Sequence, residues 1–402
     1  MNVLLLMPKE LYILTRFAEA CRRHGFGLSI MMAPRPPTRC YLVTFVNDSY
    51  QTIEEVPVAE ATAEAVAPFL GKFDSVVAAG EFSVVLGEQL SARLGLFHNN
   101  LQRVESYRNK HLMRQRFAEA GVSQPKVLAR FSSLAEVDAF DWGSVEFPVI
   151  VKPVDMTASF YVRLCDDAPS ARRLYQRIFM HSQSFAGGGF LGQGLLEEVA
   201  FGPEYSAECV VQDRRVVALF PTTKFLSPYP ACDEIGHLSG EPFADEGVAI
   251  KVREEVERIT RAWDVISAVM HVEYKLHDRE VKVIEGACRI GGDMISELVE
   301  LTHGVSLEEC LLLLRSTKDV GAALERRNVG GGDECHGIKY LFSENIAAPL
   351  PADVKVLRTV KYPGLEAGDG SGFGAEARLG HVLVQSRSLS ALKEYLAGSN
   401  AS

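Results

Sequence analysis

The segment that most constrains the fold of this chain is residues 270–293, which has the pattern of a β-hairpin. Two runs rich in valine, isoleucine and tyrosine flank a polar turn at residues 277–280, as in paired antiparallel strands. With a turn of three or five residues, Glu273 and Glu285 lie opposite each other on one face of the hairpin. Because facing carboxylates repel, this arrangement predicts a cation between them.

The residues around the hairpin suggest which cation it is. Paired carboxylate oxygens, completed by phosphate oxygens, are ligands that Mg²⁺ prefers. Arg289 follows the second strand, where a guanidinium can hold a carboxylate or a phosphate by two parallel hydrogen bonds. The segment therefore predicts a metal–nucleotide site, with Glu273 and Glu285 as metal ligands and Arg289 as an anion clamp.

Composition narrows the class of protein. A chain of 402 residues predicts two or three domains, and 47% hydrophobic with 23% charged residues is ordinary for a soluble globular enzyme. The net charge of −10 argues against a general nucleic-acid binder, which would carry a basic face. A small anionic ligand held by a few local lysines and arginines remains compatible with this charge.

The cysteines and the N-terminus predict a cytoplasmic protein. The eight cysteines form no C-x-x-C pair and have no zinc-finger spacing with a histidine, which favours a reducing compartment. The apolar run at residues 3–6 is too short to span a membrane and lacks a preceding basic stretch. We therefore expect a buried first strand, no signal peptide and no membrane association.

The order of the patterns predicts three units. Residues 1–105 alternate short apolar runs with helical patterns, which predicts a parallel sheet covered by helices. No G-x-G-x-x-G follows the first strand, so a dinucleotide site there is not expected. Residues 106–330 form a second unit, divided at about residue 210, and residues 331–402 a strand-rich third. The strands predicted in the first unit are 3–7, 28–32, 40–45 and 75–79.

Three further expectations concern the second unit and its ends. Glycine runs at residues 187–189 and 330–332 predict connecting segments. The apolar periodicity predicts one helix over residues 254–270. Residues 222–237 have the composition of a polar loop between strands.

Two lysines are candidates for binding phosphates. Lys152 ends the apolar strand F-P-V-I-V-K-P, from which it can reach α- and β-phosphate oxygens. Lys110 opens a predicted helix, where the helix dipole opposes a positive charge and a nearby anion would compensate. For each of them alone, and for Arg114 on the same helix, a solvated surface charge is the simpler interpretation.

A third candidate is the hinge between two predicted strands, L-L-E-E-V followed by G-P-E-Y-S. Its extended backbone can pair with the edge of an adenine base, which assigns Glu198, Val199 and Ala200 to nucleotide binding. Glu197 can accept a hydrogen bond from the exocyclic amine, and Glu204 can accept bonds from both ribose hydroxyls. The alternative is a solvated acidic turn.

These pieces occur in one order along the chain: Lys110, Lys152, the hinge at residues 197–204, then the carboxylate hairpin with Arg289. That order and spacing resemble the ATP-grasp superfamily over essentially the whole chain. The resemblance implies an α/β and α+β fold: a Rossmann-like N-terminal domain, an ATP-grasp domain with its nucleotide-binding subdomain at 125–210 and its metal and substrate subdomain at 210–330, and a C-terminal β-rich subdomain. It also implies ATP with Mg²⁺, or Mn²⁺ in its place.

Within that superfamily, the chain looks most like the L-amino-acid ligases. The supporting string is T-T-K-F-L-S-P-Y-P-A-C-D-E-I-G-H, because the family has a similar loop ending in E-x-x-H near the substrate. The resemblance implies that Glu234 binds the ammonium of the first amino acid and that His237 lies near the transferred phosphate or the acceptor. The string A-E-A-R-L-G-H-V-L-V also resembles the family's C-terminal subdomain and is expected to pack over the site.

Two departures from the family pattern bear on the site. The family usually has asparagine two residues after the second metal carboxylate, where this chain has Ala287, so the number of metal ions stays open. The phosphate-covering loop is usually rich in glycine and serine with a basic residue, but residues 155–161 contain neither glycine nor lysine. Ser159 and backbone N–H groups are the remaining phosphate contacts there.

The resemblance implies a reaction that joins a carboxylate to an amine. The carboxylate takes the γ-phosphoryl group of ATP, and the amine of a second amino acid then displaces phosphate from the acyl phosphate, with Arg289 stabilising the oxyanion. Dipeptide antibiotic biosynthesis, with a dapdiamide-type ligase as one candidate, is the expected setting. A purine-pathway or biotin-carboxylase-like enzyme and a non-catalytic ATP-binding regulator are the alternatives, and a homodimer is a common assembly in the family.

Overall fold

A computed structural model of the protein describes residues 1–6, 11–31, 50–52, 66–157, 159–180, 191–227, 233–326, 334–342, 350–362 and 378–398. The α-helices in these ranges are α1 Leu11–His24, α2 Val84–Arg93, α3 Lys110–Glu119, α4 Leu134–Ala139, α5 Ala168–Met180, α6 Glu246–Ala262, α7 Ile295–His303, α8 Leu307–Arg315, α9 Gly321–Glu325 and α10 Leu389–Ala397. Among the helices described, none has the length and apolar character needed to span a bilayer.

The strands form three sheets. They are β1 Asn2–Leu6, β2 Gly27–Met31, β3 Tyr50–Thr52, β4 Ser75–Ala78, β5 Val127–Phe131, β6 Val149–Pro153, β7 Arg163–Cys165, β8 Gly194–Glu198, β9 Glu204–Gln212, β10 Arg215–Leu226, β11 Glu234–Ser239, β12 Ala268–His277, β13 Glu280–Ala287, β14 Cys335–Leu341, β15 Val354–Lys361 and β16 Gly380–Ser386. Short 3₁₀ turns lie at Ala67–Phe69, Glu81–Ser83, Val104–Tyr107 and Trp142–Ser144.

The first sheet is parallel, with the order β3-β2-β1-β4, as the alternation of strands and helices predicts. Strand β1 lies inside this sheet, and its V-L-L-L residues are at most 1% exposed. An apolar side chain at every position suits a parallel strand that is covered on both faces. The predicted strand at 40–45 and the glycine runs at 187–189 and 330–332 lie outside the described residues.

The second sheet is antiparallel, with the order β5-β8-β6-β7, and helix α5 packs on it. The third sheet has eight strands in the order β13-β12-β9-β10-β11-β14-β16-β15. Strands from the predicted C-terminal subdomain therefore extend the sheet that carries the carboxylate hairpin. This continuity brings residues near the end of the chain toward the site.

Two sequence-based expectations about local structure were wrong. Residues 222–226 and 234–237 are not loop but parts of β10 and β11, which pair with each other across the middle of the eight-stranded sheet. The helix expected at 254–270 ends at Ala262, and β12 begins at Ala268. The apolar residues after the helix continue its pattern, but they pair with β9 in the sheet, so a tertiary contact overrides the local preference.

The hairpin has the predicted pairing through a different turn. The turn is the two-residue loop Asp278-Arg279, with φ values of 48° and 65°, which is the geometry of a tight hairpin turn. A bulge between Glu273 and Tyr274 then shifts the register by one residue and sets Glu273 opposite Glu285. The expected loop of three or five residues was wrong, and the bulge restores the facing pair.

The first sheet is joined to the rest of the molecule by a shared core and a buried ion pair. Residues of β1 and α1 pack in one cluster with α8 and with strands of the eight-stranded sheet. At the end of α8, Arg315 is 6% exposed and donates to Glu88 at 2.8 Å, to Ser91 Oγ at 2.8 Å and to the carbonyl of Phe97 at 3.1 Å. These contacts fix the first sheet relative to the cavity described below.

We predict that Arg315→Met lowers the free energy of unfolding by about 3 kcal/mol, because it leaves buried acceptors without their donor. Thermal or urea unfolding measures the change. The control is Arg116→Met, since Arg116 pairs with Glu119 at 3.1 Å where both side chains are well exposed, 34% and 60%, and such pairs contribute about 1 kcal/mol or less. Equal effects of the two substitutions would contradict the stabilising role assigned to Arg315.

Candidate active site

One cavity of about 240 Å³ lies between the second sheet and the eight-stranded sheet. All the predicted site residues except His237 line it: Lys110, Lys152, Ser159, Glu197, Glu198, Val199, Ala200, Glu204, Glu234, Glu273, Glu285 and Arg289. Residues nearly 180 positions apart thus share one space. Their individual roles stay predictions, and the contacts below bear on what each can do.

At one wall, three residues form a buried ionic cluster. Arg114 donates to both carboxylate oxygens of Glu197, at 2.7 and 3.1 Å, and Lys152 lies 2.7 Å from the same carboxylate. All three are at most 3% exposed, so the expectation of a surface Arg114 was wrong. Its guanidinium also donates to the carbonyls of Val283 and Ile284, which replace the water that burial removes. The cluster fixes Lys152 at the cavity.

The cluster shifts the pKa values of its members. Burial opposes ionisation of Glu197, but the charges of Arg114 and Lys152 outweigh it and bring the pKa of Glu197 to about 2. Burial and the neighbouring Arg114 lower the pKa of Lys152 to about 8, although Glu197 and Glu285 act in the opposite direction. Since two cations already bind the Glu197 carboxylate, its predicted bond to adenine would have to be shared with them.

Lys110 contacts both the loop at residues 155–161, predicted to cover the phosphates, and the carboxylate hairpin. Asn109 caps α3 by accepting from the N–H of Leu112 at 3.0 Å, which places Lys110 as the first helical residue. Its ammonium donates to the carbonyl of Met156 at 2.6 Å and lies 2.9 Å from Glu285. At 4% exposure it is not a solvated surface charge.

The phosphate-covering loop is anchored by its own apolar residues. Met156, Phe160 and Tyr161 are each at most 9% exposed and belong to the core of the second sheet. Ser159 lines the cavity at a φ of 54°, a left-handed conformation that non-glycine residues seldom adopt. Apolar anchors take the place of the glycines usual in this loop.

Sequence reasoning missed the residue with the most carboxylate contacts in the cavity. Lys224 on β10 lies 2.7 Å from Glu204, 2.6 Å from Glu234 and 2.9 Å from Glu273. These three carboxylates belong to the nucleotide hinge, the substrate motif and the metal pair of the predicted site. A lysine within the otherwise uncharged run 216–226 was the available signal, but we interpreted residues 222–237 as a loop.

A second missed residue, His271, supports the same metal carboxylate. It is two positions before Glu273 on β12, so both side chains point to one face of the sheet. Its Nδ1 lies 2.5 Å from Glu208 and its Nε2 3.1 Å from Glu273. Burial disfavours its charged form, but the two carboxylates raise the pKa of His271 to about 10. Glu273 is therefore in contact with two cations.

The predicted substrate residues lie around one part of the cavity, which is called its substrate end below. Glu234 and Asp293 line the cavity there, whereas His237 lies behind them with its Nε2 3.6 Å from each carboxylate. Arg378 donates to both oxygens of Asp293, at 2.7 and 3.1 Å. Burial and the charge of Asp293 raise the pKa of Glu234 to about 8, although Lys224 opposes this. Asp293 and Arg378 were not predicted as site residues.

Arg289 is held by the first sheet. It follows β13, as predicted, and its Nε donates to Glu81 at 2.5 Å. Glu81 lies in the short turn that follows β4 at one end of the parallel sheet. Burial raises the pKa of Glu81, but Arg289 and Lys110 outweigh it, so the carboxyl stays ionised. The anion clamp is thus oriented by a residue from the N-terminal unit.

The hairpin carboxylates fit a magnesium ion. Glu273 and Glu285 are register partners, both line the cavity, and their side chains keep 21% and 28% exposure. Each is compensated by protein cations, Lys224 and His271 on one and Lys110 on the other. Two carboxylates beside space for phosphate oxygens are the usual donor set for Mg²⁺. Ala287 lines the same cavity and offers no side-chain ligand.

The three sheets, the hinge and the carboxylate hairpin have the arrangement of an ATP-grasp fold. The family model described as an ATP-grasp domain matches residues 145–297, which include three of the four strands of the second sheet and the hairpin. This finding confirms the predicted fold and superfamily.

Comparison with individual proteins confirms the resemblance to amino-acid ligases. The chain is 23% identical over 316 residues to the alanine–anticapsin ligase of Bacillus subtilis, a match that covers 74% of this chain and 66% of that protein. Its fold is similar to that of the L-amino acid ligase from Bacillus licheniformis, with a TM-score of 0.76, 18% identity and coverage of 98% and 95%. It is also similar to N5-carboxyaminoimidazole synthase from Aspergillus clavatus in complex with ADP, with a TM-score of 0.66, 14% identity and coverage of 98% and 96%.

We predict that ATP binding at pH 9 takes up close to one proton, about the full change for one lysine. A pKa near 8 leaves Lys152 mostly neutral at pH 9 in the free protein, and triphosphate anions favour its charged form. Calorimetry in two buffers of different ionisation enthalpy measures the uptake, which should be smaller at pH 7.

Lys152→Met should weaken ATP binding and abolish the uptake. Lys339→Met is the control, because Lys339 is also buried but donates to the carbonyls of Tyr395 and Gly398, away from the cavity lining. Uptake that persists in Lys152→Met would show that another group titrates.

Proposed function

We propose that the protein is an ATP-dependent carboxylate–amine ligase that joins an amino acid, or an acylated amino acid, to a second L-amino acid and releases ADP and phosphate. The observation that carries this proposal is that one cavity is lined by three groups: the hinge, the paired hairpin carboxylates with Arg289, and Glu234 with Asp293. The similarity to two amino-acid ligases supports the same reaction. Dipeptide natural-product synthesis is the proposed setting.

The first half of the reaction transfers the γ-phosphoryl group to the carboxylate of the first substrate. Lys110 and Lys152 bind phosphate oxygens from two rigid elements, a helix start and a strand end. Glu273 and Glu285 would hold Mg²⁺, which supplies neutralisation of the β- and γ-phosphate charge when bound. Little bond chemistry is left to the protein in such a transfer, so positioning and charge compensation are its main contributions.

The second half attacks the acyl phosphate with the amine of the second substrate. The carbonyl oxygen gains negative charge as the amine adds, and Arg289 is the cation we assign to stabilise it. Glu81 orients that guanidinium through a 2.5 Å hydrogen bond while leaving its Nη2 for substrate. Phosphate then leaves and the amide remains. His237 is buried and does not line the cavity. We therefore assign it a supporting role for the carboxylates of Glu234 and Asp293.

The two rival functions are less well supported. A carboxylase of the purine or biotin type shares the fold, as the similar synthase from Aspergillus clavatus illustrates. Its acceptor, however, gives no reason for two carboxylates, Glu234 and Asp293, at the substrate end. A regulator that has lost catalysis gives no reason for the compensated metal pair Glu273 and Glu285.

The decisive experiment measures ADP release with Mg·ATP against pooled L-amino acids, with mass spectrometry of the products. We expect an ATP-dependent product whose mass equals two substrates minus water. ADP release that depends on bicarbonate would favour the carboxylase function. Bound ATP with no turnover on any acid and amine would favour the regulator.

We predict that Glu285→Ala and Arg289→Ala each lower kcat by at least ~100-fold, the usual loss when one such electrostatic group is removed. Steady-state ADP release measures the effect, and circular dichroism verifies the fold. Near-normal turnover in either folded variant would contradict the role assigned to that residue.

A matched control for both variants is Lys251→Ala. Lys251 donates to the carbonyl of Arg279, at the turn of the same hairpin, and is well exposed outside the cavity lining. We expect its kcat to stay within about 2-fold, since exposed ion pairs contribute little. A large loss there would mean that hairpin stability, rather than the site, limits turnover.

A further inference from the structure

Arg378 reaches the substrate end of the cavity from the C-terminal strands. It lies two residues before β16, is 5% exposed, and donates to both carboxylate oxygens of Asp293. Its guanidinium stacks 3.6 Å from the centroid of the Tyr340 ring. The Tyr340 hydroxyl in turn donates to the main-chain carbonyl of Asp293 at 2.7 Å. Asp293 is thus fixed at its side chain and its backbone by residues of the C-terminal strands.

The backbone of Asp293 is also held in an uncommon conformation. Its φ is 59°, and Met294 follows with a φ of 61°. Non-glycine residues rarely adopt this region, and it costs about 1 kcal/mol or more for each. The contacts of Arg378 and Tyr340 offset that cost and aim the Asp293 carboxylate at the cavity, where 27% of its side chain stays exposed.

A buried histidine faces the gap between the two carboxylates of this wall. His237 is 0% exposed, and neither ring nitrogen has a hydrogen-bond partner among the described residues. Its Nε2 lies 3.6 Å from both Glu234 and Asp293, too far for a hydrogen bond. A buried polar atom without a partner costs free energy, so a ligand that hydrogen-bonds in this gap would remove that cost.

The surrounding charges select the kind of ligand. One atom each from Glu234, His237 and Asp293 lie within 4.8 Å of one another, a spacing that suits a small cation. Two protein cations are already close, since Lys224 is 2.6 Å from Glu234 and Arg378 is 2.7 Å from Asp293. These cations already compensate the two carboxylates, and moving a divalent ion out of water costs more than moving a monovalent one. An ammonium group has a single charge and three donors, which suit the two carboxylates and the Nε2 of a neutral His237 that carries its proton on Nδ1.

We propose that Asp293 is a second binding carboxylate for the ammonium group of the amino acid whose carboxylate is phosphorylated, and that Arg378 is the positioning residue that holds Asp293 in place. This inference rests on the proposed ligase function. It makes the C-terminal strands a determinant of substrate choice: the enzyme distinguishes an acid with an α-amine from one without.

The test is steady-state ADP release with the amino acid identified in the product screen. Asp293→Asn and Arg378→Met should raise KM for that amino acid by about 10-fold or more, the scale of one charged hydrogen bond. KM for ATP should stay within about 2-fold. Arg378→Lys should recover part of the loss, because one ion-pair contact to Asp293 survives. Lys339→Met, a buried lysine in the same C-terminal strands, should change neither constant.

A comparison of two substrates, one with and one without the α-amine, separates ammonium binding from a purely structural role of Asp293. The wild type should prefer the amino acid over its analogue with hydrogen in place of the α-amine, and Asp293→Asn should lose most of that preference. An unchanged KM and an unchanged preference in Asp293→Asn would overturn the proposal. If Arg378→Met does not fold, as judged by its melting temperature, Asp293→Asn and Arg378→Lys decide.

Two further outcomes separate the alternatives. If the wild type releases no ADP with any amino acid, the ligase function fails and this inference fails with it. If the wild type is active but both variants keep its kinetic constants, only this inference fails. A Mn²⁺ titration followed by electron paramagnetic resonance tests the metal alternative. An ion that binds without nucleotide and is lost in Asp293→Asn would overturn the ammonium assignment.

Discussion

The structure depends on cations that compensate the negative charge of carboxylates, which its sheets bring together with little access to water. Glu273 and Glu285 would repel each other across the hairpin if they were left alone. Lys224 and His271 contact the first, and Lys110 contacts the second. In the proposed function, a nucleotide and a metal ion would therefore exchange partners with these carboxylates and cations instead of burying new unpaired charge.

The same compensation ties distant parts of the chain to one site. The first sheet supplies Glu81 to Arg289, and the second sheet supplies Lys152. The C-terminal strands supply Arg378 to Asp293. The contacts of Glu81 and Arg378 cross boundaries between units, so loss of packing at a boundary would also misplace a charge in the cavity. Shared apolar cores between the first sheet and α8 keep these boundaries closed.

The sequence was most informative where side chains of one kind recur at short spacing. The hairpin and its facing carboxylates followed from alternation, although the bulge at Glu273 did not, because a one-residue shift leaves no mark in the pattern. Lys224 was missed because polar residues with proline on either side resemble a loop, whereas here Lys224 faces a polar cavity from within β10. Arg114 was expected at the surface because its burial depends on Glu197, which is 83 positions away in the sequence.

The sequence by itself determined the order of the predicted nucleotide and metal motifs along the chain, including Lys110 and Lys152. It also determined the parallel first sheet. Both depend on local patterns of residues. Only the tertiary structure decided which charges pair. Lys224 joins three carboxylates from different strands, and Arg378 meets Asp293 from 85 positions away. The physical reason is that an ion pair is fixed by distance in space and by local dielectric, and neither is encoded in the neighbouring sequence.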